Sequence, residues 1–252
     1  MRKLLAVAFV GALAVSAASI VTAQDGADAE ASRNYNLTGF EQVSVVGPHH
    51  VVISVGPEFA VRVVGPQQTL DDTTVEIEDG KLEIHPVEDE RWEQRWRGDE
   101  YWEHYRPATF YITLPRITGA MLAGGGDMRV DRVDGQEFAG TVAGSGTLDV
   151  ATLAVDDARF TIAGSGDLNA RGSARHSRVT IAGSGNLHAT EVSSDDARIT
   201  ITGSGNVALT VANTADITIM GGGDVEIAGR AACSVTRMGG GRVRCGGDAV
   251  VG

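Results

Sequence analysis

Thr161-Ile162-Ala163-Gly164-Ser165-Gly166-Asp167-Leu168-Asn169-Ala170 returns nineteen residues later as Thr180-Ile181-Ala182-Gly183-Ser184-Gly185-Asn186-Leu187-His188-Ala189. Variants of the phrase begin at Thr141, Thr200, Thr218 and Thr236, and a looser one follows Leu122. Their first glycines are Gly124, Gly144, Gly164, Gly183, Gly203, Gly221 and Gly239, so the spacings are 20, 20, 19, 20, 18 and 18. A period near 20 carried by strand-like segments predicts a stacked solenoid.

The alternation inside each repeat says which side chains fill it. Phe160 and Ile162 point one way, and Arg159 and Thr161 the other. Val179 with Ile181, Ile199 with Ile201, and Ile217 with Ile219 are the equivalents. Past the glycines, Leu168 with Ala170 repeats as Leu187 with Ala189, Val207 with Leu209, and Val225 with Ile227. Leu153 and Val155, then Val192, then Val211, supply a third inward stretch. One coil buries too little apolar surface to stand alone, but parallel in-register coils share a continuous column.

The Gly-Ser-Gly triplets mark the corners, with Gly144 and Gly146, Gly164 and Gly166, Gly183 and Gly185, and Gly203 and Gly205 as the structural positions. Glycine reaches positive φ and lets stacked corners approach closely. Each corner is followed by Asp127, Thr147, Asp167, Asn186, Asn206 or Asp224. Short polar groups there are expected to bond the backbone or their neighbours one coil away. The alternative is a calcium ladder. Thr147, Asn186 and Asn206 interrupt its acids, and the period is at least double that of calcium-binding nonapeptides, so no metal or cofactor is expected.

Ahead of the repeats, residues 35–86 read as short strands. Glu41–Val45, Val51–Val55 and Ala60–Val64 alternate between Gly-Pro breaks, and Thr74–Ile77 and Lys81–Ile84 flank Glu78-Asp79-Gly80. Further upstream, Arg2 and Lys3 precede an apolar run that ends at Val21-Thr22-Ala23. Residues 1–23 therefore read as a signal peptide cut after Ala23, with residues 24–34 as a loose lead and the product periplasmic or extracellular. The mature chain would carry 19 basic and 33 acidic residues, a net charge of −14. That balance argues against nucleic acid and against an anionic membrane surface as partners. No stable membrane insertion is expected once the signal is cut.

Taken together, the GSG-[DN]-[LV] corners, the GGGD variants at Gly124 and Gly221, the pattern Phe40-x-x-Val43-x-Val45 and the strand Thr109–Leu114 resemble the DUF2807 family, the auto-transporter adhesin head or GIN domain. The similarity runs from about Phe40 to Arg244. It implies an all-β fold, a right-handed parallel β-helix of about 18–20 residues per coil, with the strand-rich portion in the same domain. It implies no catalytic residues. On this basis residues 108–252 form the β-helix and residues 87–107 an insertion without a counterpart.

The insertion holds all three tryptophans, Trp92, Trp96 and Trp102, together with Tyr101 and Tyr105. Two roles compete: a flap covering the seam between the β regions, or an exposed aromatic platform for a glycan or protein. These five residues are the candidate partner-binding set.

Catalysis finds little support. The six histidines show no metal spacing, and the Gly-Ser-Gly serines recur too regularly to be one nucleophile. Asp156-Asp157 and Asp195-Asp196 occupy corresponding positions and could line a polysaccharide lyase or hydrolase, but Arg175-His176 interrupts them. The expectation is a non-enzymatic exported envelope protein with a binding, adhesion-like or structural role. The alternatives are a periplasmic polysaccharide-processing enzyme and an accessory envelope factor recognising a protein.

Cys233 and Cys245 are the only cysteines. Export would place them in an oxidising compartment. Aligning Met238 with Met220 sets Cys233 in step with Ala215, and Cys245 in step with Ile227. Both then point inward from different walls of the last coil, and a disulfide is expected to close it.

Overall fold

The computed structural model describes residues 30–87, 105–246 and 248–250. The signal segment and Trp92, Trp96, Tyr101 and Trp102 lie outside the described residues. The described chain is an all-β solenoid preceded by a strand-rich portion, and one buried apolar cluster runs through both, from Phe40 to Cys245.

Four long strands make the centre: β11 (Thr147–Gly164), β12 (Asp167–Gly183), β13 (Asn186–Gly203) and β14 (Asn206–Gly221). Each bends round three walls and pairs in parallel with the next, so Ile162, Ile181, Ile201 and Ile219 are successive register partners. Phe160, Val179, Ile199 and Ile217 stack beside them. All eight side chains are buried, as the period-two alternation requires. Leu168, Leu187 and Val207 line the wall beyond the corner. The third wall carries Leu153 and Val192, and it is where the coil shortens: the β13–β14 register shifts between Ala189 and Ser193.

Both ends differ from the centre. At the N-terminal end, β2 (Gln42–Val46) and β8 (Gly119–Gly124) continue the first wall into β10 (Val133–Gly144), and β3 (His50–Val55) and β9 (Asp127–Val130) continue the second into β11. β4 (Ala60–Pro66) and β7 (Thr109–Leu114) run antiparallel, as do β5 (Thr73–Glu78) and β6 (Lys81–Pro86). The β5–β6 hairpin turns at Asp79 and Gly80, both at positive φ (48° and 73°), the geometry that an Asp-Gly pair favours.

Two expectations are corrected here. The lead across residues 24–34 is not loose throughout, because β1 (Glu30–Tyr35) pairs antiparallel with β4. Its backbone has a waiting edge, and Arg33 ties it down by donating to the Leu70 carbonyl at 2.8 Å and pairing with Asp71. One helical turn, α1 (Gln67–Asp71), also interrupts the strand-only region and buries Leu70. A single turn is too short to show apolar periodicity in sequence.

At the C-terminal end, β15 (Val225–Gly229) and β16 (Ala232–Met238) are the last strands to pair with β14. β17 (Val243–Cys245) follows β15, and β18 (Asp248–Val250) closes the stack antiparallel to it. Cys233 pairs with Ala215 and Cys245 with Ile227, and the two cysteines are joined with their Cα atoms 6.4 Å apart. The disulfide thus spans two walls of the terminal coil.

Candidate functional site

The corners explain why the repeat keeps its glycines. At Gly164 φ is +124°, and a Cβ there would press into the carbonyl oxygen of Gly144 one coil below. That same oxygen accepts the N–H groups of Ser165 at 2.8 Å and Gly166 at 2.9 Å. Gly166 faces the Gly146 carbonyl in the same way. Close stacking and converging donors leave no room for a side chain, so the corners are architecture.

The polar residue after each corner bonds up and down the stack. Asn186 Nδ2 donates to Asp167 Oδ1 at 2.9 Å, and Asn206 Nδ2 to Asn186 Oδ1 at 2.8 Å. The Asp224 N–H donates to Asn206 Oδ1 at 3.1 Å, and Arg242 closes the ladder on Asp224. Arg242 holds the Asp224 carboxyl below the usual carboxylate range through these hydrogen bonds. Side-chain oxygens that calcium would need are thus committed to amide and guanidinium donors. Among the described residues no group of three or more His, Cys, Asp or Glu side chains is placed to hold a metal ion.

The feature with the clearest binding geometry is a cleft of about 490 Å³ running across five coils at β10–β14. Two outward rows line it, set by strand register. One row is Glu137, Asp157, His176 and Asp196, with Asp157, His176 and Asp196 as register partners. The other, two residues later on each strand, is Arg159, Arg178 and Arg198. Between the rows, Phe138, Ala158, Ser177 and Ala197 point inward and are buried. A cationic lip thus faces an acidic and imidazole lip over a closed floor.

The acids read as a possible catalytic wall are distributed by this register. Asp156 pairs with Arg175 at 3.1 Å, and Asp196 lies 3.6 Å from His176 Nδ1 while accepting from Thr214 Oγ1 at 2.5 Å. Ser177 and Ser194, both buried, bond to each other at 2.6 Å. Ser177 faces the core while its neighbour His176 faces outward, so the two do not form a nucleophile–base pair. The arginine row had a signal in sequence: Ala-Arg-Phe-Thr-Ile, Ser-Arg-Val-Thr-Ile and Ala-Arg-Ile-Thr-Ile carry it at one position of the repeat.

Of the candidate partner-binding set, Tyr105 is described. Its hydroxyl lies 3.3 Å from Nε2 of His49, whose Nδ1 accepts the Ala108 N–H at 3.3 Å. With Nδ1 accepting, the neutral ring carries its proton on Nε2 and donates to Tyr105. Phe110 packs edge-on against the imidazole at 5.3 Å between centroids. Burial, then the neighbouring His50, pushes the His49 pKa down to about 4. His49 is thus a core residue beneath the point where the chain rejoins the fold at Ala108.

Three solved structures share this architecture. A putative adhesin from Bacteroides fragilis is 17% identical with a TM-score of 0.75, covering 85% of this chain and 96% of that one. A putative lipid binding protein from Parabacteroides distasonis is 18% identical with a TM-score of 0.65, covering 85% and 95%. A putative adhesin from Parabacteroides merdae is 16% identical with a TM-score of 0.65, again covering 85% and 95%. No curated protein matches the chain. The family described as "Putative auto-transporter adhesin, head GIN domain" matches residues 39–231. That span covers the strand-rich portion from β2 onward and the coils that form the cleft, and the chain belongs to the DUF2807 family.

Proposed function

We propose that this protein is an exported, non-catalytic binding module of the cell envelope, with an adhesion-like role. The observation that carries the reading is the cleft across β10–β14, where five coils hold rows of charged side chains in fixed register on a rigid wall. Sites on regular elements hold their geometry better than sites on loops, which suits recognition of an extended partner. Family membership supports the same direction. In this reading residues 1–23 are a signal peptide, and the mature chain acts in the periplasm or outside the cell. The solenoid is right-handed with about 18–20 residues per coil, a view supported by the resemblance and by the glycine spacing. Trp92, Trp96, Tyr101, Trp102 and Tyr105 add an aromatic contact surface. No helix among the described residues is long and apolar enough to cross a membrane.

The test is retention of purified residues 24–252 on isolated envelope fractions and on a glycan panel. Saturable retention of a defined component, with no turnover of that component, is the expected result. Failure to bind any fraction, or release of cleaved glycan, overturns the reading. Alanine at Trp92, Trp96 and Trp102 together is expected to preserve the β circular dichroism and weaken retention. Loss of the fold instead would make the insertion a structural flap.

A further inference from the structure

We propose that the cleft across β10–β14 binds a linear acidic polysaccharide, a glycan chain with one carboxylate per sugar unit. This deepens the binding-module reading and rests on it. Arg159, Arg178 and Arg198 are consecutive register partners, so they stand one strand spacing apart, about 4.8 Å. Three stacked guanidinium groups repel one another unless anions lie between or over them. Arg198 reaches Asp216 at 3.4 Å, but among the described residues no carboxylate lies within ion-pair distance of Arg159 or Arg178. Arg62, Arg129, Arg230 and Arg244 also have no ion pair among the described residues, but only Arg159 and Arg178 are register partners of each other in one cleft.

The opposite lip narrows the ligand class. Asp157 and Asp196 stand about 7 Å from the arginine row, two residues along an extended strand. Ionised carboxylates only accept hydrogen bonds, so that lip suits hydroxyl donors and rejects anions. A nucleic acid, with a charge every 1.7 Å or so of duplex, would meet this acidic lip as well as the arginines. In an extended polyuronate successive rings turn over along the chain, so carboxylates alternate sides and each side also carries hydroxyls of the intervening rings. One linked pyranose advances by about one strand spacing, so the carboxylates on one side recur at every second rung of the ladder. An arginine fork can take such a carboxylate through two parallel N–H donors. Five coils give four spacings, about 19 Å, enough for roughly four sugar units.

The test is calorimetric titration of residues 24–252 with tetragalacturonate, maltotetraose and a short polyphosphate. The wild type is expected to bind tetragalacturonate, more weakly as salt rises, and to bind the other two at least about tenfold more weakly. Arg159→Gln with Arg178→Gln is expected to weaken tetragalacturonate binding at least about tenfold with an unchanged melting temperature, since both side chains are exposed. Each single variant is measured too, so the result does not depend on the double variant folding. The proposal fails if the wild type does not bind tetragalacturonate, if the variants bind it as well as the wild type, or if polyphosphate binds equally well. Retention on envelope fractions separates this failure from a broader one. Equal retention of wild type and variant removes the cleft from the function but leaves the binding module standing. No retention of the wild type removes both.

Discussion

Arg237 is the register partner of Ile219, so the last coil puts a guanidinium where Ile162, Ile181, Ile201 and Ile219 put apolar side chains. It folds back to donate to the Gly241 carbonyl at 2.6 Å. A charge at an inward position ends a stack, because a further coil would have to bury it. Replacing Arg237 by Leu is expected to continue the apolar column to the open end. Analytical ultracentrifugation should then show mass rising with concentration for the variant and less so for the wild type. Identical sedimentation of the two proteins would count against a terminating role.

Gly164 tests the corner stacking. Alanine there must adopt φ near +124° and displace the Gly144 carbonyl below it. Loss of roughly 2–4 kcal/mol of stability is expected from strain and broken corner hydrogen bonds. Ser165, exposed at the same corner, should tolerate alanine within about 0.5 kcal/mol. Urea unfolding of both variants decides it, and equal small effects would refute the stacking account.

His49 makes stability fall in acid. The folded ring titrates at about 4 and an unfolded histidine near 6.5. Between those values the unfolded chain holds a proton that the folded chain refuses. The contribution is therefore complete above pH 6.5 and lost as pH falls towards 4. By pH 4.5 the loss should reach about 2–3 kcal/mol. Carboxylate titrations act on wild type and on His49→Gln alike, so the difference between their pH profiles isolates this term. Parallel profiles would show that the imidazole does not stay neutral.

The disulfide encloses a short loop, with Cys233 and Cys245 twelve residues apart. Chain-entropy reasoning gives it about 3 kcal/mol. Reduction should lower the melting temperature and fray the last coil first, seen as faster amide exchange in β16 and β17 than in β12. Exchange that quickens evenly along the solenoid would argue that the link holds the whole column.

Much of this was readable because the repeat is its own alignment. Aligning Met238 with Met220 pairs Cys233 with Ala215 and Cys245 with Ile227, and the strands adopt those pairings. The column of Phe160, Val179, Ile199 and Ile217 followed from alternation alone, since one residue along a strand reverses the side. The N-terminal portion yielded less. β1 is a polar segment that becomes a strand only because β4 offers an edge, a partner far along the chain, as Glu30 with Pro66 and Tyr35 with Val61 show. His49 is buried through long-range packing on Phe110 and Tyr105, which no local pattern encodes. The arginine ladder was visible as a recurring letter. Its meaning depended on the concavity between walls, and alternation fixes sidedness without fixing curvature.

The two ends are closed differently, by α1 and antiparallel strands at one and by Arg237, the disulfide and β18 at the other. Between them each coil touches chiefly its two neighbours. The molecule is therefore a ruler with fixed end-stops and an adjustable middle. Duplicating residues 164–182 would insert one more rung, with a further arginine in the row, while both end-stops stay as they are. Reach can change in whole steps of one strand spacing, about 4.8 Å, with no redesign of either terminus.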